Sequence, residues 1–411
     1  MSRILPLDQG HRLPFWRRPE AFLILTAIAM PLSFMTWSAL LDNWTIEAIG
    51  FTGVEIGNLH MIREIPGFLA VGVIAIILFM REQVLGVVAL FGLGVATAMT
   101  AWFPSFSGIL WVTLLSSIGF HYYETVNQSL QLQWLKKESA PRKLGMLIAV
   151  GSAATFVAYM LIMMTWNRLG LGYNTVFMVS GALTAVIALY CWLAFPQFEA
   201  PNPQRKQLIL RQRYWLYYAL QFMSGARRQI FVVFAGFMMV EHFGYQPDEK
   251  VALMLATLMA NILFAPMVGR AVGVFGERNA LVVEYAGLTL VFLAYGGIYW
   301  FGWGVALAAA LYIVDHLLFA LALSLKTYFQ KIADPGDIAP TAAVAFTINH
   351  IAAVGLPLPL GYLWVHSPGA VFGLAAAMAV VSLLLSLLIP RRPEPGNETI
   401  FAAFRRQVLA D

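Results

Sequence analysis

Two adjacent arginines, Arg227 and Arg228, sit inside an apolar run from about residue 214 to 240. A run of that length can cross a bilayer, whose hydrocarbon core takes roughly 20 residues of helix. Each guanidinium near the middle of such a helix costs about 2.5–3.5 kcal/mol on insertion scales, so its presence there calls for a partner or a ligand. The chemistry a guanidinium does best is two-point pairing with a carboxylate or phosphate, and it stays charged while doing so. At the helical repeat Tyr217, Gln221, Ser224 and Arg228 share one stripe, and Arg227 stands about a quarter-turn off it. Arg228 is therefore expected to face a ligand cavity. Arg227 is expected to turn toward a neighbouring helix, where it assists binding or serves as a structural cation.

Other polar residues recur in apolar surroundings. Ser117, His121, Glu124, Gln128 and Gln131 are spaced four, three, four and three, which draws one polar stripe on a helix. Asp315 and His316 lie mid-run in another segment, with Lys326 three turns further along. Ser33, Thr36 and Trp37 follow Pro31 in the first run. Arg228, Arg227, Gln128, Gln131, Gln221, Trp37 and His121 form the candidate set for holding a solute. Asp315, Glu124 and His316 are the candidates for carrying a proton, with Asp315 first. The competing structural reading has the arginines neutralise Glu124 and Asp315, since buried charges are usually paired. Glu284 is expected to pair with a basic loop near the inner end of its helix, and Arg63 with Glu64 at the interface. His121 and Glu124 match half of a helical metal motif; the second pair is missing, so no metal site is expected.

These residues are carried by a chain that departs from soluble composition. Of 411 residues, 60% are hydrophobic and 11% charged, against roughly 25% charged in soluble domains. The charge of +5 is spread between apolar runs, which favours lipid headgroups over nucleic acid as the anionic contact. The single cysteine, Cys191, excludes a disulfide framework and a thiol metal cluster. There is no phosphate-binding Gly-rich loop and no Gly-x-Ser-x-Gly nucleophile motif, so neither a nucleotide, another cofactor nor an enzymatic activity is expected.

Twelve apolar runs are visible: 21–42, 56–80, 84–102, 106–133, 143–166 and 172–195, then 214–240, 250–268, 279–300, 304–330, 339–365 and 369–390. The expected fold is an all-α membrane protein of twelve transmembrane helices in two six-helix bundles. The N-terminal bundle is 1–196, a polar linker carrying Pro201, Pro203, Arg205, Lys206, Arg211 and Arg213 is 197–213, the C-terminal bundle is 214–390 and a tail is 391–411. Lysine and arginine gather on the face of the termini and the linker, for example Arg17, Arg18, Lys136, Lys137, Arg391, Arg405 and Arg406, and both termini are accordingly expected in the cytoplasm. The halves echo each other. His121, Ser129, Leu130 and Lys136 reappear as His316, Ser324, Leu325 and Lys331 at an offset of 195, and Gly50, Phe51 and Glu55 as Gly244, Tyr245 and Glu249 at 194.

By its six-plus-six pattern and basic central linker the chain resembles the major facilitator superfamily over nearly its whole length. The stretch Gly269–Arg278 is similar to that family's Gly-rich basic loop at Gly269, Gly276 and Arg278, and departs from it at Gly273, Val274 and Glu277. The resemblance implies a secondary transporter of the cell inner membrane, working by alternating access, with the first, fourth, seventh and tenth helices nearest its cavity. The arginines favour a small organic anion as solute, with protons as the coupling ion. The alternatives are efflux of cationic or amphipathic compounds drawn to Glu124 and Asp315, carriage of a divalent metal by His121, Glu124, Asp315 and His316, and a membrane assembly factor that does not transport.

Overall fold

A computed structural model describes residues 4–69, 72–77, 79–135, 140–199, 210–334 and 337–401. The linker positions Pro201, Pro203, Arg205 and Lys206, together with Lys136, Lys137, Arg405 and Arg406, lie outside them. The described chain is almost entirely helical: α1 Pro19–Ile49, α2 Gly53–Phe68, α3 Glu82–Met99, α4 Phe106–Trp134, α5 Ala140–Leu169, α6 Tyr173–Ala194, α7 Trp215–Ile230, α8 Gly236–Glu241, α9 Pro247–Phe301, α10 Val305–Phe319, α11 Leu323–Ile332, α12 Ile338–Gly355, α13 Pro357–His366 and α14 Pro368–Leu387. The exception is a short parallel pair, β1 Ile4–Pro6 with β2 Gln197–Glu199. Eight helices among the described residues are long and apolar enough to cross a membrane, which makes this a multi-pass membrane protein. Helices α2 and α7, 16 residues each, and the polar-striped α4 are not among those eight.

The Gly269–Arg278 stretch, expected as a loop between two helices, holds the break between them: Gly276 leaves helical geometry (φ 77°, ψ 163°), and the segment Pro247–Phe301, labelled α9, is two helices meeting at that kink. No proline interrupts this stretch, and glycine alone takes that backbone conformation without steric penalty.

Contacts divide the chain into two compact units. The first comprises Met1–Phe51, Ile62–Arg205 and Tyr245–Leu255, and the second comprises Thr52–Met61, Lys206–Gly244 and Ala256–Asp411. In the first, α3 packs against α4 and α6. A side chain at Gly181 would strike the backbone of Gly94 and Ala98, so the absence of one is what lets α3 and α6 approach so closely. Phe22, Trp134, Phe195 and Phe198 fill one end of this unit with edge-to-face rings 5.3–5.6 Å apart. Lys250 Nζ donates to Asp42 Oδ2 at 2.6 Å, and both are buried. The repeat echo has a structural counterpart in two capping boxes: the Thr52 amide donates to Glu55 and the Gln246 amide to Glu249, each at 2.9 Å, after glycines of positive φ at Gly50 and Gly244.

In the second unit α7 packs on α12 and α14. Where the linker ends, Arg211 Nη2 donates to Asp337 Oδ1 at 2.9 Å, Tyr214 Oη donates to Asp337 Oδ2 at 2.9 Å, and Arg213 pairs with Asp334. The Arg211 guanidinium holds the Asp337 carboxyl below its ordinary value. A depressed native pKa stabilises the fold above the unfolded value and ceases to do so as pH falls through the native one. Melting temperature is therefore expected to decline through the acid side of the aspartate range, and Asp337→Asn to lower it at neutral pH while removing that part of the decline. A pH series of thermal melts on both proteins measures this; an identical acid limb in the variant would assign it to other carboxylates.

Candidate functional site

The second unit contains a cavity of about 170 Å³ lined by Arg227, Arg228, Phe231, Val232, Phe292, Asp315, His316 and Phe319. Helix α7 supplies the arginines, the segment after it supplies Phe231 and Val232, α9 supplies Phe292, and α10 the remaining three. The segment Phe231–Ala235 is a π-helix. Such turns are rare and concentrate at functional sites, because the wider turn re-aims side chains that a regular helix would place elsewhere.

Arg227 is 1% exposed and Glu284 fully buried, and Arg227 Nη2 donates to Glu284 Oε1 at 3.1 Å. The guanidinium also lies over the Tyr285 ring at 4.9 Å and the Phe319 ring at 5.9 Å, contacts that favour a cation in apolar surroundings. Its Nε and Nη1 find no hydrogen-bond acceptor among the described residues. Arg228 is half-buried and donates from Nη2 to Asn349 Oδ1 at 3.3 Å, while Asn349 Nδ2 donates to the Gln221 carbonyl at 3.2 Å. This bridge depends on Gly225, where any side chain would collide with the Asn349 backbone. Asp315 is 3% exposed, and its Oδ1 has no hydrogen-bond partner among the described residues. His316 Nδ1 donates to the Tyr312 carbonyl at 3.0 Å, which fixes the ring against the edge of Phe231.

Four of the residues singled out from the sequence, Arg227, Arg228, Asp315 and His316, thus line one cavity, and Gln221 is linked to it through Asn349. Several expectations need correction. The carboxylate bonded to Arg227 is Glu284, not Glu124 or Asp315, and among the described residues Glu284 forms no ion pair with a basic loop. A carboxylate buried this completely has to meet its cation on the adjacent helix, because no solvent is there to share the charge. Both arginines line the cavity, although Arg227 is off the stripe. Tyr217, on the stripe, belongs to the core: its ring stacks on Phe329 at 4.2 Å and its hydroxyl accepts from Gln221 Nε2 at 3.1 Å. Lys326 is exposed and forms no ion pair with Asp315 among the described residues. The expected Arg63–Glu64 pair is present, and both residues are buried.

The remaining candidates belong to the first unit. Trp37 is buried, with its indole N–H unpartnered among the described residues. His121 is buried, with Nδ1 3.0 Å from the Ser117 carbonyl, and Ser117 Oγ donates to the Arg63 carbonyl. Gln128 is exposed and donates to Glu124 at 3.0 Å; Gln131 is half-buried. The polar stripe on α4 therefore runs from a buried end at Ser117 to an exposed one at Gln128.

Glu284, Phe231, Phe292 and Phe319 were not picked out as site residues. Glu284 carried the same signal as the arginines, a lone charge in an apolar run. The phenylalanines carried none, since in a membrane helix a ring facing a cavity and a ring facing lipid read alike.

No protein-family model matches the chain, and no curated protein matches it. Its fold does match solved structures. A mutant of the nucleoside transporter NupG superimposes with a TM-score of 0.74 at 15% identity, covering 90% of this chain and 99% of that one. The peptide transporter POT, a mutant in complex with sulfate, gives 0.70 at 14% identity over 93% and 97%. A bacterial homologue of the human lysosomal transporter Spinster, inward-facing and occupied, gives 0.64 at 13% identity over 90% and 95%. These neighbours are transporters of the major facilitator type, and the resemblance read from the sequence holds at the level of the fold.

Proposed function

We propose that the chain is a secondary active transporter of the cytoplasmic membrane that moves a small organic anion by alternating access, coupled to protons. In this reading it has twelve spans in two six-helix halves, 1–196 and 214–390, with linker and both termini cytoplasmic. The observation that carries it is the cavity beside Arg228: a charged, only half-buried guanidinium that donates to Asn349 at 3.3 Å lines a space among apolar helices. Such a group is costly unless its charge is used. Arg228 is assigned the solute's anionic group, with Arg227 assisting. Gln221 holds the Asn349 bridge, and Trp37, His121, Gln128 and Gln131 shape the path in the first unit.

Asp315 is assigned the proton, with Glu124 and His316 behind it. It lines the cavity with an oxygen that no described residue satisfies, and protonation removes a charge that is expensive to bury. Efflux of a cation is the second reading, favoured by the same Asp315 and opposed by the two guanidinium groups beside it. The experiment is solute uptake into vesicles by Asp315→Asn with and without an imposed pH gradient. Coupling predicts loss of gradient-driven accumulation with solute exchange intact. Unchanged accumulation would remove Asp315 from the proton path, and loss of both activities would make it a structural counter-ion.

A further inference from the structure

The cavity walls say more about the solute than its charge. Phe231, Phe292, Phe319 and Val232 give the lining apolar side chains, and Arg227, Arg228, Asp315 and His316 give it polar ones. A strongly hydrated ion would lose its water on entering such a space and regain few hydrogen bonds. A ring would lose little and gain contact with three aromatic side chains. Size agrees: an apolar cavity of about 150 Å³ is enough to admit benzene, and this one is about 170 Å³.

Charge then limits the anionic part. Arg227 is paired with Glu284 at 3.1 Å, and Asp315 lines the same cavity as Arg228, so two carboxylates already stand at or beside the two arginines. A single extra negative charge is offset when Asp315 takes one proton; a second finds no further lysine or arginine among the described lining residues. The unfilled hydrogen-bonding capacity lies on buried groups: Arg227 Nε and Nη1, and Asp315 Oδ1. One carboxylate group can accept from guanidinium N–H while a protonated Asp315 donates to it.

We propose that the solute is a small aromatic monocarboxylate, its ring among Phe231, Phe292 and Phe319 and its single carboxylate at Arg228 with Arg227 and Asp315. This rests on the reading of Arg228 as an anion contact and narrows it.

The test is binding to the purified full chain, read by calorimetry and by shift of melting temperature. The probes are benzoate, phenylacetate, acetate, succinate, inorganic phosphate, benzamide, benzylamine and uridine. Benzoate or phenylacetate is expected to bind at least about tenfold more tightly than acetate and than neutral benzamide, the scale of discrimination an apolar pocket achieves for added hydrocarbon. Phe292→Ala, or Phe319→Leu should the first fail to fold, is expected to weaken benzoate binding more than acetate binding and so shrink the preference. Succinate binding with the aromatic acids silent overturns this inference and leaves the organic-anion reading standing; inorganic phosphate binding alone overturns both. Binding of benzylamine or uridine alone, or of no probe by folded protein, overturns both.

Discussion

Arg228→Ala is expected to abolish transport while the protein still inserts at normal levels, and Arg228→Lys to restore little of it. The reason is geometric. Arg228 is fixed by Asn349, which is itself fixed to the Gln221 carbonyl, and Gly225 lets α7 approach close enough to make the bridge. A guanidinium so held presents paired N–H donors in a plane that matches a carboxylate, whereas an ammonium offers a point charge on a flexible stem. Loss of a hydrogen-bonded charge contact to a ligand costs about 2–5 kcal/mol, more than thirtyfold in affinity. Uptake rates compared at equal expression measure the effect. Near-normal transport by Arg228→Ala would move the anion contact to Arg227.

Arg227→Ala is expected to do its damage elsewhere, in stability. Removing one partner of a buried ion pair leaves the other charge uncompensated, at a cost of about 3–5 kcal/mol. Here the abandoned group is Glu284, fully buried, whose Oε2 already lacks a partner among the described residues. The replacement also loses the stacking over Tyr285 and Phe319. The double variant Arg227→Met with Glu284→Leu is expected to recover most of the lost melting temperature, since an apolar pair of similar volume can replace a buried ion pair at little cost. A single variant that keeps its melting temperature and loses ligand binding would reverse the roles given to the two arginines.

How much of this could be read from the sequence differs by residue, for physical reasons. Helices α4, α7 and α10 and the oddity of Arg227, Arg228, Asp315 and His316 were legible, because a charge in an apolar run is conspicuous whatever the tertiary structure. The identity of Arg227's partner was not: Glu284 is 57 residues away on α9, and nothing in periodicity links two helices that distant. The break within 269–278 was legible from its glycines, but not that it narrows to the kink at Gly276, with helix on both sides. Of the aromatic walls of the cavity, Phe231 comes from the π-turn at Phe231–Ala235, which has no sequence signature, and Phe292 and Phe319 come from α9 and α10. The stripe on α7 located Arg228 at the cavity, while Tyr217 on the same stripe, fourteen residues before the π-turn, packs on Phe329 in the core.

The most direct test of the central claim is counterflow in proteoliposomes. Vesicles containing the purified chain are loaded with unlabelled benzoate, succinate or acetate in separate preparations and diluted into a trace of the same labelled anion. A transporter of organic anions predicts transient accumulation of label above its equilibrium level for at least one of the three, abolished by Arg228→Ala and preserved by Asp315→Asn. Absence of counterflow for all three anions, in vesicles whose protein melts as the folded chain does, would contradict the account.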